Sequence, residues 1–265
     1  MSDAMPAHPH DYGSVVLALR GAGCVFAEDE ARMLVSAAPT PEALTEMVGR
    51  RTAGEPLEHV VGWAEFCGRR WAVGPGVFVP RRRTEFLVGL ACEAAPPGAV
   101  VLDLCCGVGA VGAAVVARLE PTAELYAADI APEAVRYARR NVAPLGGEVF
   151  EGDLYEPLPR ELRGRVDILV ANAPYVPTDE IGLLPPEARE HEPVVALDGG
   201  ADGMDLQRRV AEEAPRWLAP GGRLLVETSG RQAPGTAEAF ARAGLETRVL
   251  ESEEWCATVV VGRRA

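Results

Sequence analysis

The pattern of apolar and polar positions divides the chain into three parts. The first part, residues 1–55, contains three segments of helix-forming composition: 12–23, 27–38 and 40–51. Thr40 followed by Pro41 indicates a helix start, because Thr caps helices and Pro suits the first helical position. We therefore expect a small N-terminal helical subdomain over residues 1–55.

The pattern changes near residue 56. From 59 to 80, Val, Trp and Phe recur between glycines, which is typical of a β-hairpin. We expect residues 56–80 to form a hairpin linker that joins the two larger parts or covers a cleft between them.

From residue 99 onward, short apolar runs alternate with helical patterns. The predicted strands are 99–105, 123–130, 147–154, 166–173, 222–229, 245–252 and 256–263. The predicted helices are 109–119, 131–143, 204–218 and 232–243. Apolar strands alternating with helices indicate a parallel sheet covered on both faces. The last two strands are joined by only a few residues, so they must pair antiparallel. The predicted fold of residues 81–265 is thus an α/β sheet, mostly parallel, with its last strand reversed.

Composition limits the class of protein. The chain has 265 residues, of which 48% are hydrophobic and 25% charged, as in soluble globular proteins. No apolar run approaches the roughly 18 residues that span a bilayer, and the N-terminus lacks a secretory signal pattern. We expect a cytoplasmic protein. Six cysteines without a CxxC pair, and only four histidines, favour neither a metal site nor a disulfide framework.

The formal net charge of −13 bears on partners. Duplex nucleic-acid binders use a basic surface to displace counterions. We therefore expect no stable nucleic-acid binding, and an acidic surface would attract a basic protein instead. We expect the protein to be a monomer.

A glycine-rich turn follows the first strand of the sheet. Asp103, Gly107 and Gly109 form the pattern D-x-x-x-G-x-G in the stretch "VLDLCCGVGAVG". Glycines allow positive φ and close approach of a ligand to the backbone. A lone glycine motif is weak, and a tight turn packed on a helix would account for it equally.

Acidic residues also end the next two strands. Asp129 and Ile130 end the stretch "YAADI", and Asp153 and Leu154 end "FEGDL". An acidic residue at the second strand tip can accept hydrogen bonds from two ribose hydroxyls, or cap the following helix. An Asp at the third can accept from an adenine amino group while Leu154 packs on the ring. Three such tips together predict a site for a nucleoside-containing cofactor.

Two cofactors fit this pattern. "GVGAVG", completed by Gly112, matches the dinucleotide fingerprint, in which a helix N-terminus receives a pyrophosphate. Asp103 favours S-adenosylmethionine (SAM) instead, because SAM carries an ammonium group and no pyrophosphate. The reversed last strand also favours SAM, since Rossmann-like methyltransferases have that architecture.

With "VLDLCCGVGA", "AADI", "EGDL" and "NAPY" in this order, the chain resembles the HemK/PrmC family of protein-(glutamine-N5) methyltransferases. The stretches 54–88 and 191–205 are similar to the family's linker signature and to its Gly-rich turn. The resemblance implies a Rossmann-like, SAM-dependent enzyme that methylates the glutamine of a Gly-Gly-Gln loop in peptide-chain release factors. This chain departs from the family by Ala173 in place of the first Pro of Asn-Pro-Pro-Tyr, by Cys105 and Cys106, and by Arg82 and Arg83.

The resemblance also implies site residues. Those expected to contact SAM are Asp103, Cys105, Cys106, Gly107, Val108, Gly109, Asp129, Ile130, Asp153, Leu154 and Asn172. Those expected at the reacting amide are Asn172, Ala173, Pro174 and Tyr175. Those expected on the substrate side or in a lid are Phe78, Pro80, Arg81, Thr84 and Glu85. The Asn172 side-chain oxygen and the carbonyl of Ala173 would hold the substrate NH2 group, and Tyr175 would pack beside it.

Alternatives remain at this point. A nucleic-acid amino-methyltransferase poses the same chemical problem, because adenine N6 is also an amine that must be aimed at the methyl group. A SAM-binding protein without catalysis is a third hypothesis, and a small-molecule N-methyltransferase a fourth. Asn172 alone would also suit a turn, and the two cysteines would suit packing or, less well, a thiolate role.

Overall fold

The computed structural model describes residues 12–119 and 122–265. The helices are α1 Tyr12–Gly21, α2 Ala27–Ala37, α3 Pro41–Thr52, α4 Leu57–Val61, α5 Glu85–Ala94, α6 Ala110–Arg118, α7 Pro132–Val142, α8 Pro186–His191, α9 Asp205–Trp217 and α10 Ala233–Arg242. The strands are β1 Trp63–Phe66, β2 Arg69–Ala72, β3 Val100–Leu104, β4 Glu124–Asp129, β5 Glu148–Glu151, β6 Val166–Ala171, β7 Leu218–Thr228, β8 Glu246–Ser252 and β9 Ala257–Arg263. The expectation that the N-terminus carries no secretory signal falls on residues 1–11, outside the described residues.

The first four helices pack around a small core of their own. Its largest fully buried side chains are Leu19 and Leu34. The predicted start of α3 is confirmed, because the Thr40 hydroxyl accepts the Ala43 N–H at 3.2 Å and Pro41 is the first helical residue. The three predicted N-terminal helices are thus present, whereas the domain bounds proposed from the sequence stay a prediction.

The hairpin is also present. Strands β1 and β2 pair antiparallel through a two-residue turn, in which Cys67 and Gly68 have φ of 55° and 70°. Two positive φ values match the right-handed twist of the flanking strands. Helix α4 precedes the hairpin and was not predicted, because five residues form little more than one turn and show no measurable periodicity.

A seven-stranded sheet forms the centre of the molecule, in the order β5-β4-β3-β6-β7-β9-β8. Strands β3 to β7 are parallel, and β9 runs antiparallel to both neighbours. The predicted reversed last strand is confirmed. Strand β7 begins at Leu218, earlier than predicted, because backbone pairing with Val166 continues through a polar, glycine-containing stretch that interrupts the apolar pattern.

Helices cover both faces of the sheet. Helices α5, α6 and α7 pack on one face, around Leu87 and Val115. Helices α9 and α10 pack on the other, around Trp217 and Phe240. In a sheet of this topology the strand order reverses between β3 and β6, so the loops after the parallel strands open at one edge. Among the described helices, none is long and apolar enough to cross a membrane.

Candidate active site

Two cavities meet at this edge of the sheet. The inner cavity lies over the tips of β3, β4 and β5. The outer cavity lies between the segment 184–197, the end of β7 and the start of β9, and has a volume of about 690 Å³. Residues that line both cavities include Phe78, Arg81, Asn172 and Pro174. The loop after β6 therefore lies at the boundary of the two cavities, where a group bound in one could contact a group bound in the other.

The glycine turn after β3 forms the floor of the inner cavity. Gly107 has φ of 54° and donates its N–H to Asp129 Oδ2 at 2.7 Å. Gly109 has φ of 75°, lies outside the cavity lining, and packs so closely that an added Cβ would lie 2.9 Å from Val142 Cγ2. The first glycine thus shapes the cavity floor and the second seats the turn on α7.

Asp103 lies under the start of α6. Its carboxyl is 1% exposed and accepts the Gly112 N–H at 2.8 Å. A Cβ on Gly112 would lie 2.8 Å from Asp103 Cβ, so the third glycine of "GVGAVG" makes room for this carboxyl. Burial raises the pKa of Asp103 to about 7, against the opposing hydrogen bond from Gly112. The carboxyl occupies the helix N-terminus where a dinucleotide fingerprint would place a pyrophosphate.

Asp129 ends β4 with both oxygens engaged. Oδ2 holds Gly107 and Oδ1 accepts the Ala131 N–H at 2.9 Å. Burial raises the pKa of this carboxyl, and the backbone hydrogen bonds oppose that shift. Each carboxylate oxygen retains a second lone pair, so Asp129 can both order the turn and accept from a ligand. Ile130 follows on the rim, 54% exposed.

Asp153 and Leu154 lie beyond the tip of β5. Leu154 has φ of 48° and is buried against the inner cavity. Asp153 Oδ2 accepts from Arg209 Nη2 at 2.7 Å, which leaves the other carboxylate oxygen for a ligand. Arg209 on α9 also lines this cavity. Sequence reasoning missed it because an Arg on an exposed helix face carries no distinguishing pattern.

The chemistry of the inner cavity fits SAM better than a dinucleotide. Asp103 and Asp129 face the cavity without a cationic partner among the described residues, whereas Arg209 is paired with Asp153. Such a cavity attracts a cationic ligand and repels a pyrophosphate. Its apolar lining, which includes Val108, suits a flat ring.

Cys105 and Cys106 belong to the same glycine turn, and their surroundings do not favour a reactive thiolate. Both line the inner cavity, and Cys106 is buried. Burial raises the pKa of both thiols far above the neutral range, and the nearby carboxylates add to the shift. A thiolate role is therefore disfavoured, and the pair serves to pack the turn.

Asn172 is the polar end of a buried strand. It follows Ala171, the last residue of β6. Within residues 12–119 and 122–265, its side-chain amide forms no hydrogen bond, although it lines both cavities. Ala173 is fully buried, and Tyr175 lines the outer cavity but not the inner one. An uncommitted amide at the junction of two cavities is placed to hold a ligand group.

The outer cavity contains a three-residue network that sequence reasoning did not assemble. Arg83 donates from Nη2 to the Tyr175 hydroxyl at 2.6 Å and from Nε to Glu227 Oε1 at 3.1 Å. Glu227 is 1% exposed at the end of β7. The pKa of Tyr175 is raised, first by burial and then by the Glu227 carboxylate. An acidic residue ending an apolar strand was the available signal for Glu227, and the contact with Arg83 spans 144 positions of the chain.

The remaining predicted residues divide by location. Arg81 is held by Glu192, whose two oxygens each accept from Nη2 at 2.6 Å, and its guanidinium lies 4.7 Å from the centre of the Phe78 ring. Pro80 and Thr84 line the inner cavity. Glu85 lines neither cavity and instead accepts the Cys67 N–H of the hairpin turn at 3.1 Å.

Comparisons with known proteins bear on this arrangement. Residues 75–182 match the family described as Methyltransferase small domain. A release factor glutamine methyltransferase of Geobacter sulfurreducens is 42% identical over 200 residues, which cover 75% of this chain and 69% of that protein. The 4-amino-L-phenylalanine/4-methylamino-L-phenylalanine methyltransferase of Streptomyces pristinaespiralis is 37% identical over 217 residues, covering 78% of this chain and 73% of that protein. A solved methyltransferase of Pyrococcus furiosus has a TM-score of 0.56 at 16% identity over 75% of this chain and 90% of that one, a likeness of fold alone.

The reversed seven-stranded sheet and the acidic inner cavity define a SAM-dependent methyltransferase of the Rossmann-like class. Within that class, the chain belongs to the release factor glutamine methyltransferase family. The resemblance inferred from the sequence motifs is confirmed.

Proposed function

We propose that the protein transfers a methyl group from SAM to the side-chain amide of a glutamine in a peptide-chain release factor. The observation that carries this proposal is the Asn172 amide, which has no partner among the described residues and lies where the two cavities meet. The relatives named release factor glutamine methyltransferase support the choice of acceptor.

The residues of the inner cavity would hold SAM. Asp103 would face the ammonium group, Asp129 would accept from the ribose hydroxyls, and Asp153 with Leu154 would hold the adenine. When bound, SAM supplies an electrophilic methyl group. The residues of this chain would bind the cofactor and exclude water with their apolar side chains. They would also turn the methyl-bearing side of SAM toward the loop after β6.

The acceptor amide needs orientation rather than a base. The lone pair of an amide nitrogen is delocalised into its carbonyl, so two acceptors that hold the NH2 group can aim the nitrogen. We assign these acceptors to the Asn172 side-chain oxygen and the Ala173 carbonyl oxygen. Because its pKa is raised, Tyr175 stays a neutral phenol that walls the amide site and does not act as a base.

We assign acceptor recognition to the N-terminal subdomain of residues 1–55, together with the segment 184–197. Arg51 of α3 lies 3.6 Å from Glu187 of α8, and Arg81 pairs with Glu192. The first pair ties the wall of the outer cavity to the helices. Glu192 also accepts the Val79 N–H at 3.1 Å, which ties the same wall to the linker. A protein docked on the helices would therefore lie beside the opening of the outer cavity.

The test uses methyl-labelled SAM and three acceptors. A release factor should gain one methyl group, located by mass spectrometry on the glutamine of its Gly-Gly-Gln loop, and a Gln→Asn variant of that loop should gain none. Duplex DNA and RNA form the arm that tests adenine amino-methylation. Transfer to nucleic acid, or to no acceptor while SAM binds, would overturn the assignment.

A second candidate acceptor is a free aromatic amino acid that carries a ring amine. Arg83 favours it, because its Nη1 forms no hydrogen bond with any described residue and the side chain is 44% exposed in the outer cavity. Such a guanidinium can receive the carboxylate of an amino acid. The relative from Streptomyces pristinaespiralis bears that kind of substrate in its name. In the same assay, methylation of 4-amino-L-phenylalanine but not of the release factor would select this candidate.

A further inference from the structure

A single side-chain amide, outside both cavities, forms a hydrogen bond with the Asn-Ala-Pro-Tyr loop. Gln232, just before α10, is 6% exposed. Its Nε2 donates to the carbonyl oxygens of Tyr175 at 2.9 Å and Asp202 at 3.0 Å. Its Oε1 accepts the Ser229 hydroxyl at 2.6 Å, which fixes the orientation of the amide. One polar group thus ties the loop after β6 to the glycine turn at 199–203.

That glycine turn packs on the same loop without spare room. A Cβ on Gly199 would lie 2.7 Å from the Pro174 carbonyl oxygen, and one on Gly203 would overlap the Tyr175 carbonyl oxygen and Gln232 Nε2. Backbone bonds join the segments as well: Gly199 donates to Val176 at 2.9 Å and Val176 to Leu197 at 3.0 Å. The C-terminal end of the loop is therefore fixed on several sides.

The N-terminal end of the loop is equally fixed, because Ala171 pairs with Leu104 and Val226 in the sheet. Only residues 172–174 lie between the two anchors. Pro174 restrains ψ of Ala173, so φ of Ala173 is the freedom that a Pro at 173 would remove. The hydrogen bond from Gln232 to the Tyr175 carbonyl sets the second anchor directly after Pro174, which limits the φ of Ala173 without a Pro at that position.

We propose that Gln232 is a positioning residue that, by holding the Tyr175 carbonyl, fixes the Ala173 carbonyl for the acceptor amide. This inference rests on the proposed function. It acts through the backbone, since Gln232 lines neither cavity. Ala173 N–H has no hydrogen-bond partner among the described residues, so Ala173→Pro removes no bond.

The experiment compares Gln232→Ala with a matched control, Gln207→Ala. Gln207 is also a buried glutamine, but its side-chain amide bonds the hydroxyls of Thr228 and Thr236 and forms no hydrogen bond with residues 172–178. Gln232→Ala should lower kcat roughly 10- to 100-fold, the order of loss that a misplaced reacting group causes, with the SAM dissociation constant unchanged within about twofold. Gln207→Ala should change kcat less than about threefold even where it lowers thermal stability as much.

Rescue supplies the readout that a merely structural role would not move. Ala173→Pro in the Gln232→Ala background should restore most of the lost kcat, and should change the wild-type kcat little. A Gln232→Ala variant that keeps its kcat, or a loss that Ala173→Pro does not restore, would overturn the proposal.

Hydrogen exchange separates this proposal from the proposed function. Measured without any acceptor, the peptide that contains residues 172–178 should exchange faster in Gln232→Ala than in wild type and in Gln207→Ala. Unchanged exchange would contradict the loop-holding role whatever the enzyme methylates. If the Gln232→Ala variant exchanges faster but the wild-type enzyme methylates no release factor, the loop-holding role stands and the choice of acceptor is wrong.

Discussion

The inner and outer cavities are built in different ways. The inner cavity is assembled from strand tips whose motifs are each contiguous in the chain, at 103–109, 129–131 and 153–154. The outer cavity depends on Arg83, Tyr175 and Glu227, which come from three distant parts of the chain. The position of the strands sets the shape of a cavity made by local turns. The shape of a cavity made by long-range pairs depends instead on how the loops pack on the sheet.

The two cavities also differ in charge. Carboxyls without cationic partners among the described residues face the inner cavity, as suits a cationic cofactor. In the outer cavity the buried Glu227 is paired with Arg83. The departures from the family pattern lie on both sides, with Arg83 in the lining of the outer cavity and Cys105 and Cys106 in that of the inner cavity.

The largest expected effect is at the junction of the cavities. Asn172→Ala should lower kcat by about 10²–10³-fold, because it removes the oxygen that we propose orients the substrate amide. SAM affinity, measured by calorimetry, should change less than about threefold, since the carboxyls of the inner cavity remain. Asn172→Asp, which keeps an acceptor oxygen, should retain more activity than Ala. Full turnover in the Ala variant would contradict the assigned role.

Asp103 should give the unliganded protein a pH-dependent stability. Its pKa rises from an ordinary 3.8 to about 7 on folding, so the folded state binds the proton more tightly than the unfolded state. Its contribution is fully present below about pH 4 and is lost as pH rises through about 7, on the order of a few kcal/mol. Urea denaturation from pH 4 upward should show this fall, and Asp103→Asn should flatten it. A wild-type and variant difference that does not depend on pH would contradict the assignment.

The same group should give SAM binding the opposite dependence. Below about pH 7 Asp103 is mostly neutral and cannot pair with the SAM ammonium. The dissociation constant should therefore fall as pH rises toward 7, by up to about tenfold per pH unit. Asp103→Asn, which can still accept the Gly112 N–H, should bind weakly and without this slope. A wild-type affinity that is flat with pH would remove Asp103 from the ammonium contact.

The smallest expected effect is on the outer cavity. Arg83→Ala leaves the buried Glu227 carboxylate without its cation and should lower the free energy of unfolding by about 1–3 kcal/mol, less than for a fully buried pair because Arg83 is half exposed. The matched control is Arg82→Ala. Arg82 is exposed and forms no ion pair with any described residue, so the change should stay within about 0.5 kcal/mol. Equal effects of the two changes on the denaturation midpoint would contradict a stabilising role for the Arg83–Glu227 pair.

Individual residues show how far the sequence reached at the site. Asp103, Asp129 and Asp153 line one cavity, and the sequence could place them together because each lies at or near the end of a predicted strand and parallel strands end at one edge of a sheet. Gly112 was found, but its purpose was not: it completes a dinucleotide fingerprint in the sequence, whereas in the structure it admits the Asp103 carboxyl. Glu192 and Gln232 were missed because their partners, Arg81 and the Tyr175 carbonyl, lie far away in the chain.

The sequence by itself determined the succession of the sheet strands along the chain, seven of the ten described helices, the reversed last strand, the glycine turn and the family. These depend on periodicity, short connections and contiguous motifs, which are local properties. Only the tertiary structure decided which group bonds the Tyr175 carbonyl and which side chains line the outer cavity. Both depend on hydrogen bonds between segments more than 50 residues apart, and which distant polar groups pair is set by the packing of whole elements.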